Sequence, residues 1–549
     1  MIVELQELTL RALAERSFDF YDSFPATAFA GEEAKTYASL KGEVERAAGL
    51  LLSLGIEKGD RVAILGDNCP HWVSAYLAVT SMGAVATPIL TGFTGKQIGN
   101  ILSQSECNAA FISAKQWKKL QGHRPPSLRG LLSLEDFSLV GEDGKLIDEE
   151  ILPMALESLP RPSPGDLAAL IHTSGTTGYS KAVMLTHENI ASNVVNSIER
   201  FPIDHNDRFL SILPLAHTFE ATGGMLSPIA AGSSIYYMRG LPTPAKLLHA
   251  MGSVKPTAVL AVPLLIEKIY KKQIMPQIRK SLLTQWLHRF PLTRPLIHKK
   301  AGAKLLESLG GNLRFFMFGG APLSHDVEVF LGEAQIQYAT GYGLSETSPI
   351  LTISPFGKVK FGSVGLPIPG VEIQVDHPDP QTGVGELLVR GPNIMVGYFE
   401  DPASTAAAFT GEGWLKTGDL GFKDDEGYLF LKGRSKNVIV RSSGENIYPE
   451  SIEEQLLKDP RITQALVHEK DGRLVAQVFL EEEVLKKGDE AAGAFDGTQD
   501  VKAYLEDLRQ RVNLELPAFS KLTTMIHRTE PFEMTPTNKI KRYLYVKDA

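Results

Sequence analysis

From Tyr37 onward the chain alternates between segments of helical and of strand-like pattern, and this alternation limits its fold more than any other feature. SLKGEVERAAGLLLSLG, ended by Gly55, predicts an amphipathic helix, DRVAILG a buried strand, HWVSAYLAVTSMG a helix and AVATPIL another strand. Strands joined through helices pair in parallel, so βαβ units in a parallel sheet are expected. The pattern recurs through RFLSILPL, SSIYYM, TAVLAVP, LRFFMFGG and QYATGYG. After about residue 370 it gives way to VEIQV, GELLVRG and GYLFLKG, short strands split by Pro/Gly/Asp turns, as in a β-rich subdomain. The last hundred residues mix strands and helices with more charge, and Lys486 to Asp500 read as a surface loop. The expected class is α/β, with parallel α/β subdomains and a β-rich subdomain in a large N-terminal domain, then a small α+β C-terminal domain.

A chain of 549 residues is too long for one core, and an apolar fraction of 43% can fill several. Cys69 and Cys107 are the only cysteines, which excludes a disulfide framework or a cysteine-rich metal site and suits a reducing cytoplasm. The first twenty residues carry charges every few positions and read as an amphipathic helix, not a signal peptide. The longest apolar run, Ala258 to Ile266, is far short of the roughly 20 residues that span a bilayer and contains Pro263. The net charge of −8 argues against nucleic acid as a partner. Charge is uneven, however: Lys268 to Leu306 hold ten Lys/Arg and no Asp or Glu. Within it, PQIRKSLLTQWLHRF predicts a helix with Ile278, Leu282, Leu283, Trp286, Leu287 and Phe290 on one half, a half that Arg279 and Arg289 share. Two readings stay open, a helix packed on the domain with its lysines in water and a face that meets an anionic membrane.

The segment His172-Thr-Ser-Gly-Thr-Thr-Gly-Tyr-Ser-Lys181 follows the apolar run LAALI and has the composition of a phosphate-holding loop. Gly175 and Gly178 allow successive N–H groups to converge on an anion, Thr173, Ser174, Thr176 and Thr177 add donors, and Lys181 adds charge. It is not a Walker loop, since only two residues separate its glycines and Lys181 follows Gly178 by three. Four further glycine-punctuated turns fall at strand ends, where open α/β sheets place ligands. PLAHTFE offers His217 and Glu220, FGGAPL offers Gly319, Gly320 and Ala321, ATGYGLSET offers Tyr342, Gly343, Ser345 and Glu346, and WLKTGDLG offers Asp419.

In this order and spacing the motifs resemble the adenylate-forming superfamily of acyl-CoA synthetases, peptide-synthetase adenylation domains and firefly luciferase, over about Tyr37 to Arg542. The resemblance implies that Thr173 to Lys181 handle the β,γ-phosphates of ATP. It makes Tyr342 the ring on adenine with Gly320 and Ala321 on its other side, and brings Ser345, where Thr is usual, to the α-phosphate. Glu346 matches the carboxylate that positions Mg2+, and Asp419 with Arg434 matches the pair on the ribose hydroxyls. His217 would lie beside the acyl carboxylate, in a pocket shared with Gly224, Pro263, Phe318 and Gly319.

GRSKNVIVRSSGENIYPESIE matches the family hinge, with Lys436 as pivot, dividing the chain into 1–435 and a mobile 436–549. TPTNKIKR places Lys539 as the adenylation lysine, with Asn538 where glycine is usual. Ser180 and Ala182 depart from the usual Pro and Gly of the phosphate loop. Domain rotation would withdraw Lys539 and bring in Ser443, Gly444 and Glu445 for the CoA step.

Such a site suits a carboxylate that must first become a mixed anhydride with AMP, because its own leaving group would be oxide. Every reactant is anionic, so positioning and charge neutralisation carry the catalysis. VPLLIEKIYKK, SSGENIYPE and TPTNKIKR resemble the long-chain acyl-CoA synthetase type, which implies a medium- or long-chain acid. An aromatic, alicyclic or dicarboxylic acid stays open as the substrate, and a carrier-protein thiol as the acceptor. An amino acid fits less well, since PLAHTFE has no Asp to pair with an α-ammonium.

Overall fold

The computed structural model describes residues 3–141, 144–147, 152–173, 181–240, 243–441, 445–459, 461–480, 498–535 and 539–546. Two nine-stranded sheets dominate it. In one, strands Pro25–Phe29, Ser234–Tyr237, Arg208–Ser211, Ala258–Ala261, Phe315–Phe318 and Tyr338–Gly343 run parallel, in that spatial order. In the other, Leu167–Thr173, Val85–Pro88, Arg61–Leu65, Cys107–Ile112 and Gly130–Ser133 are parallel, with antiparallel strands at both edges. The βαβ expectation from Tyr37 onward holds. Helix Tyr37–Ser53 is capped by the Thr36 side chain, and Gly55 follows it with φ +70°, which favours glycine.

One helix of this region is buried nearly all round. In Pro70–Ser81 only His71 is not buried, since the helix lies in the main core with strands of both sheets. The β-rich part is a four-stranded antiparallel sheet of Glu372–Asp376, Gly385–Arg390, Leu415–Lys423 and Leu429–Arg434. After the 3-10 turn Ser435–Asn437, the chain builds a hairpin, Ile439–Val440 with Asn446–Ile447, and a three-stranded sheet of Ile462–Lys470, Arg473–Leu480 and Thr524–Arg528. Helices Pro449–Leu457 and Thr498–Glu515 complete this unit, whose core, from Ile439 to Met525, shares no residue with the other cores.

Two expectations need correction. The segment from Pro276 to Phe290 is not one helix: it breaks between Met275–Arg279 and Leu282–His288, where Ser281 is extended (φ −119°, ψ 130°). Of its apolar half only Ile278 is buried. The loop reading of Lys486 to Asp500 ends too late, because a helix starts at Thr498, while 481–497 lie outside the described residues.

Candidate active site

Of the turns singled out in the sequence, all but the one with Asp419 follow the C-terminal ends of parallel strands. Strand Leu167–Thr173 pairs antiparallel with Lys181–Thr186, Thr173 opposite Lys181, so the two ends of the phosphate-loop motif lie side by side. Ser174, Gly175, Thr176, Thr177 and Gly178 lie outside the described residues. Lys181, first in its strand, holds its ammonium 4.6 Å from the centre of the Tyr398 ring. The Tyr398 hydroxyl donates to Glu346 Oε1 at 3.0 Å. Lys181, Tyr398 and Glu346 thus form one connected row. Sequence reasoning missed Tyr398, whose position depends on strand Gly397–Tyr398 pairing with Val183 and Met184, far away in sequence.

Ser345 and Glu346 sit on a 3-10 turn, Ser345–Thr347, that is braced from below. The Asn393 amide donates to Thr347 O (2.8 Å) and the Asn193 amide to Ile350 O (2.7 Å), both amides being buried. Gly343 is required here: a Cβ would stand 1.7 Å from the Pro349 carbonyl oxygen. A buried amide at each of two distant positions gives little signal in sequence, so Asn193 and Asn393 were also missed.

Tyr342 is buried, and its hydroxyl donates to Asp419 Oδ2 at 2.7 Å. Asp419 is not a turn residue but lies within strand Leu415–Lys423, directly opposite Arg434 in the ladder, with Arg434 Nε 2.7 Å from its Oδ1. Burial pushes the Asp419 carboxyl above the ordinary carboxylate range, against the pull of the Arg434 guanidinium. Gly320 (φ +82°) and Ala321 are exposed, and a Cβ on Gly320 would meet no other atom within 4 Å. The Tyr342 edge, the Asp419–Arg434 pair and the open Gly320 turn are suited to a base, its ribose and the approach between them.

Lys539 reaches this site from the C-terminal unit. A bridge between Met534 and Ile540 and the bond from Thr535 N to Lys539 O (2.8 Å) hold it near the tip of a narrow hairpin. Its side chain is exposed to solvent, with charged groups of the site around it. Thinned hydration and the Arg434 cation, with a smaller push from Lys436, lower its pKa, while Asp419 and Glu346 pull it up. Lys436 lies in the 3-10 turn between the two units. Ser443 and Gly444 are outside the described residues. At their hairpin the Glu445 carbonyl accepts from Arg441 N, and the Arg441 side chain donates to Gly472 O, both within the C-terminal unit.

The acyl side is arranged less as expected. His217 Nδ1 accepts from Phe219 N (3.3 Å), which places the ring proton on Nε2. Burial, then the Lys539 charge, brings its pKa down to about 4, so near neutral pH it is an uncharged donor and no proton shuttle. Gly319 faces the Phe219 ring, with a Cβ there 3.0 Å from Phe219 Cζ, so Phe219 shapes this wall although the sequence reading passed over it. Gly224 lies in the π-helical turn Glu220–Leu226, where a Cβ would strike the Glu220 carboxyl at 2.7 Å. Gly224 therefore packs against Glu220 and does not face open space. Phe318 is a correction: its ring is buried, stacked on Phe316 with centroids 5.4 Å apart, in a core on the opposite face of the sheet from the one Phe219 packs on. Pro263 is buried at the first position of helix Pro263–Ile269.

Comparison with known proteins decides the family. The pattern of the AMP-binding enzymes matches residues 16–399. The chain belongs to that family. It is 31% identical to the long-chain-fatty-acid–CoA ligase FadD15 of Mycobacterium tuberculosis, over 92% of this chain and 89% of that one. With human long-chain-fatty-acid–CoA ligase 1 it shares 30% identity over 89% and 78%. The fold is that of ATP-bound MatB from Rhodopseudomonas palustris (TM-score 0.74, 24% identity, 98% of both chains). It is equally that of the anthranilate CoA ligase AuaEII with anthranoyl-AMP (TM-score 0.76, 18% identity, 98% and 96%).

Proposed function

We propose that this enzyme activates a medium- or long-chain fatty acid as its acyl-adenylate, releasing pyrophosphate, and then transfers the acyl group to CoA with release of AMP. The reaction class, AMP-forming ligation of an acid to a thiol, follows from the family and from relatives that match nearly full length. The observation that carries the first half-reaction is the convergence of Lys539, Arg434, Asp419 and Glu346.

In this reading the acid's carboxylate oxygen attacks the α-phosphorus and the pyrophosphate oxygen leaves with the bond electrons. Lys539 and Lys181, with the donors of Thr173 to Gly178, offset the charge on the phosphates, and Ser345 donates to the α-phosphate. Tyr342 and the Gly320–Ala321 turn take the adenine, Gly343 letting the strand pass close to its neighbour, and Asp419 with Arg434 takes the ribose. Glu346 would hold Mg2+, a cation that favours oxygen ligands and substrate phosphates, and that ion would neutralise charge on the polyphosphate. His217, as a neutral Nε2–H donor, would orient the acyl carboxylate. The second step needs rotation about Lys436 of the unit 436–549 against 1–435, carrying Lys539 out and Ser443, Gly444 and Glu445 in.

A long-chain acid is supported by the relatives' names. The family likenesses to aromatic-acid ligases rest on fold alone. Two free cysteines suit the cytoplasm we propose for it, and an anionic membrane surface is the further partner. The test is a panel of saturated, aromatic and dicarboxylic acids with ATP and CoA, with acyl-CoA read by mass. Thioester from C8–C18 acids is expected, and thioester from aromatic or dicarboxylic acids alone would overturn the acid assignment. Phe219→Ala should shift preference towards bulkier acids, by about 10- to 200-fold for a pocket change of a methylene or more.

A further inference from the structure

The acid-free segment from Lys268 to Leu306 presents an outer face that the active site does not use. Helix Leu282–His288 buries none of its residues. Leu282 is 84% exposed, Leu283 65%, Trp286 57%, Leu292 91% and Leu296 70%. Isolated exposed leucines are ordinary, but these fall within fifteen residues of chain, and single chains seldom leave so large an apolar area in water. Nor is the face loosely attached. His288 Nε2 lies 2.9 Å from His298 Nε2 and the Thr293 hydroxyl donates to Leu287 O, seating the short helix on helix Arg294–Ser308, which Arg294 in turn ties to Glu333 (2.6 and 3.0 Å).

Basic side chains border these apolar ones. Arg279, Lys280, Arg289, Lys299 and Lys300 are all exposed. Lys271 is not available, since its ammonium donates to Leu457 O at the C-terminal end of helix Pro449–Leu457. We infer that this face docks on an anionic lipid surface, with Leu282, Leu283, Trp286, Leu292 and Leu296 entering the headgroup and upper acyl region and the bordering cations meeting lipid phosphates. Charge selects this occupant. A second copy meeting the same face would set basic groups against basic groups, whereas an anionic bilayer supplies an apolar layer and negative charge together. The chain path supports it: exposed Val262 and Leu264 flank Pro263, at the strand end from which the helical run towards this face departs.

The test uses the full chain with vesicles of phosphatidylcholine alone and of phosphatidylcholine with 30% phosphatidylserine. No turnover is needed, so its outcome is independent of which acid the enzyme activates. Binding to the anionic vesicles is expected, weaker at higher salt, with a blue shift in emission that is lost in Trp286→Phe. The triple variant Lys280→Glu/Lys299→Glu/Lys300→Glu, and separately Leu282→Ser/Leu292→Ser, should each weaken vesicle binding by more than tenfold. Both should keep the wild-type kcat and KM for ATP and CoA with a water-soluble acid. Vesicle binding that neither variant changes overturns the inference. So does a higher KM for CoA in the charge variant, which would assign the cations to CoA phosphates, or a dimer that the leucine variant dissociates, which would make the face a contact between copies.

Discussion

Lys539 comes to the site from the C-terminal unit, and Lys539→Ala isolates its contribution. Losing a preorganised donor to developing charge costs about 3 kcal/mol or more, roughly a hundredfold in rate. Pyrophosphate release should fall by that factor, while conversion of preformed acyl-adenylate to acyl-CoA stays near wild type. Equal losses in both half-reactions would contradict the two-orientation scheme. Glu220 permits a different measurement. Burial raises its pKa to about 8, Ser211 Oγ donates to Oε1 at 2.5 Å, and Oε2 has no partner among the described residues. Between an unfolded value near 4.5 and about 8 the folded chain keeps a proton that the unfolded chain has lost, so stability falls as pH rises through this window. The slope is about 1.4 kcal/mol per pH unit for one such group. Glu220→Gln should reduce that slope in urea titrations from pH 5 to 8, and an unchanged slope would show that Glu220 ionises freely. At this scale the polar motif residues were legible from type and spacing. Phe318 was misplaced although strand alternation carried the answer: Phe316 and Phe318 share one face of their strand, and Phe315 and Met317 the other. Phe219, Tyr398, Asn193 and Asn393 acquire their roles from partners far along the chain, which a local pattern cannot show.

Among the elements, the turn Ser435–Asn437 is where a single substitution should separate the two proposed half-reactions. Backbone φ in a 3-10 turn lies near the value that proline imposes, so Lys436→Pro should be accepted in the orientation seen here and resist the change that rotation requires. The expected result is near-normal pyrophosphate release, slow thioester formation and accumulating acyl-adenylate in rapid-quench experiments. Thioester formation at the wild-type rate would remove Lys436 from the pivot. Strands of the parallel sheets could be read from the sequence because burial on both faces makes them short apolar runs between turns. The helix over 276–290 could not, because a helical wheel presumes continuity. Ser281 breaks the run, and the apolar side chains beyond it stay outside the core.

For the whole molecule, the separation of cores predicts how it unfolds. The core from Ile439 to Met525 shares no residue with the others, and Trp72, Trp117, Trp286 and Trp414 all precede it. Tryptophan fluorescence therefore reports the larger part alone, while far-ultraviolet circular dichroism reports both. The two probes should give distinct thermal transitions. A non-hydrolysable acyl-adenylate analogue spanning both parts should draw the transitions together, adding about 2.7 kcal/mol at a hundred times its Kd. Coincident curves without ligand would show that the parts unfold as one. The cations around Lys539 also bear on how the two proposed half-reactions would follow one another. Lys539 stands near the cations Arg434 and Lys436, with the Asp419 and Glu346 carboxylates pulling the other way. In the proposed two-orientation scheme, bound polyphosphate would offset this like charge, so departure of the by-product would act as the clock that ends the first half-reaction and starts the second.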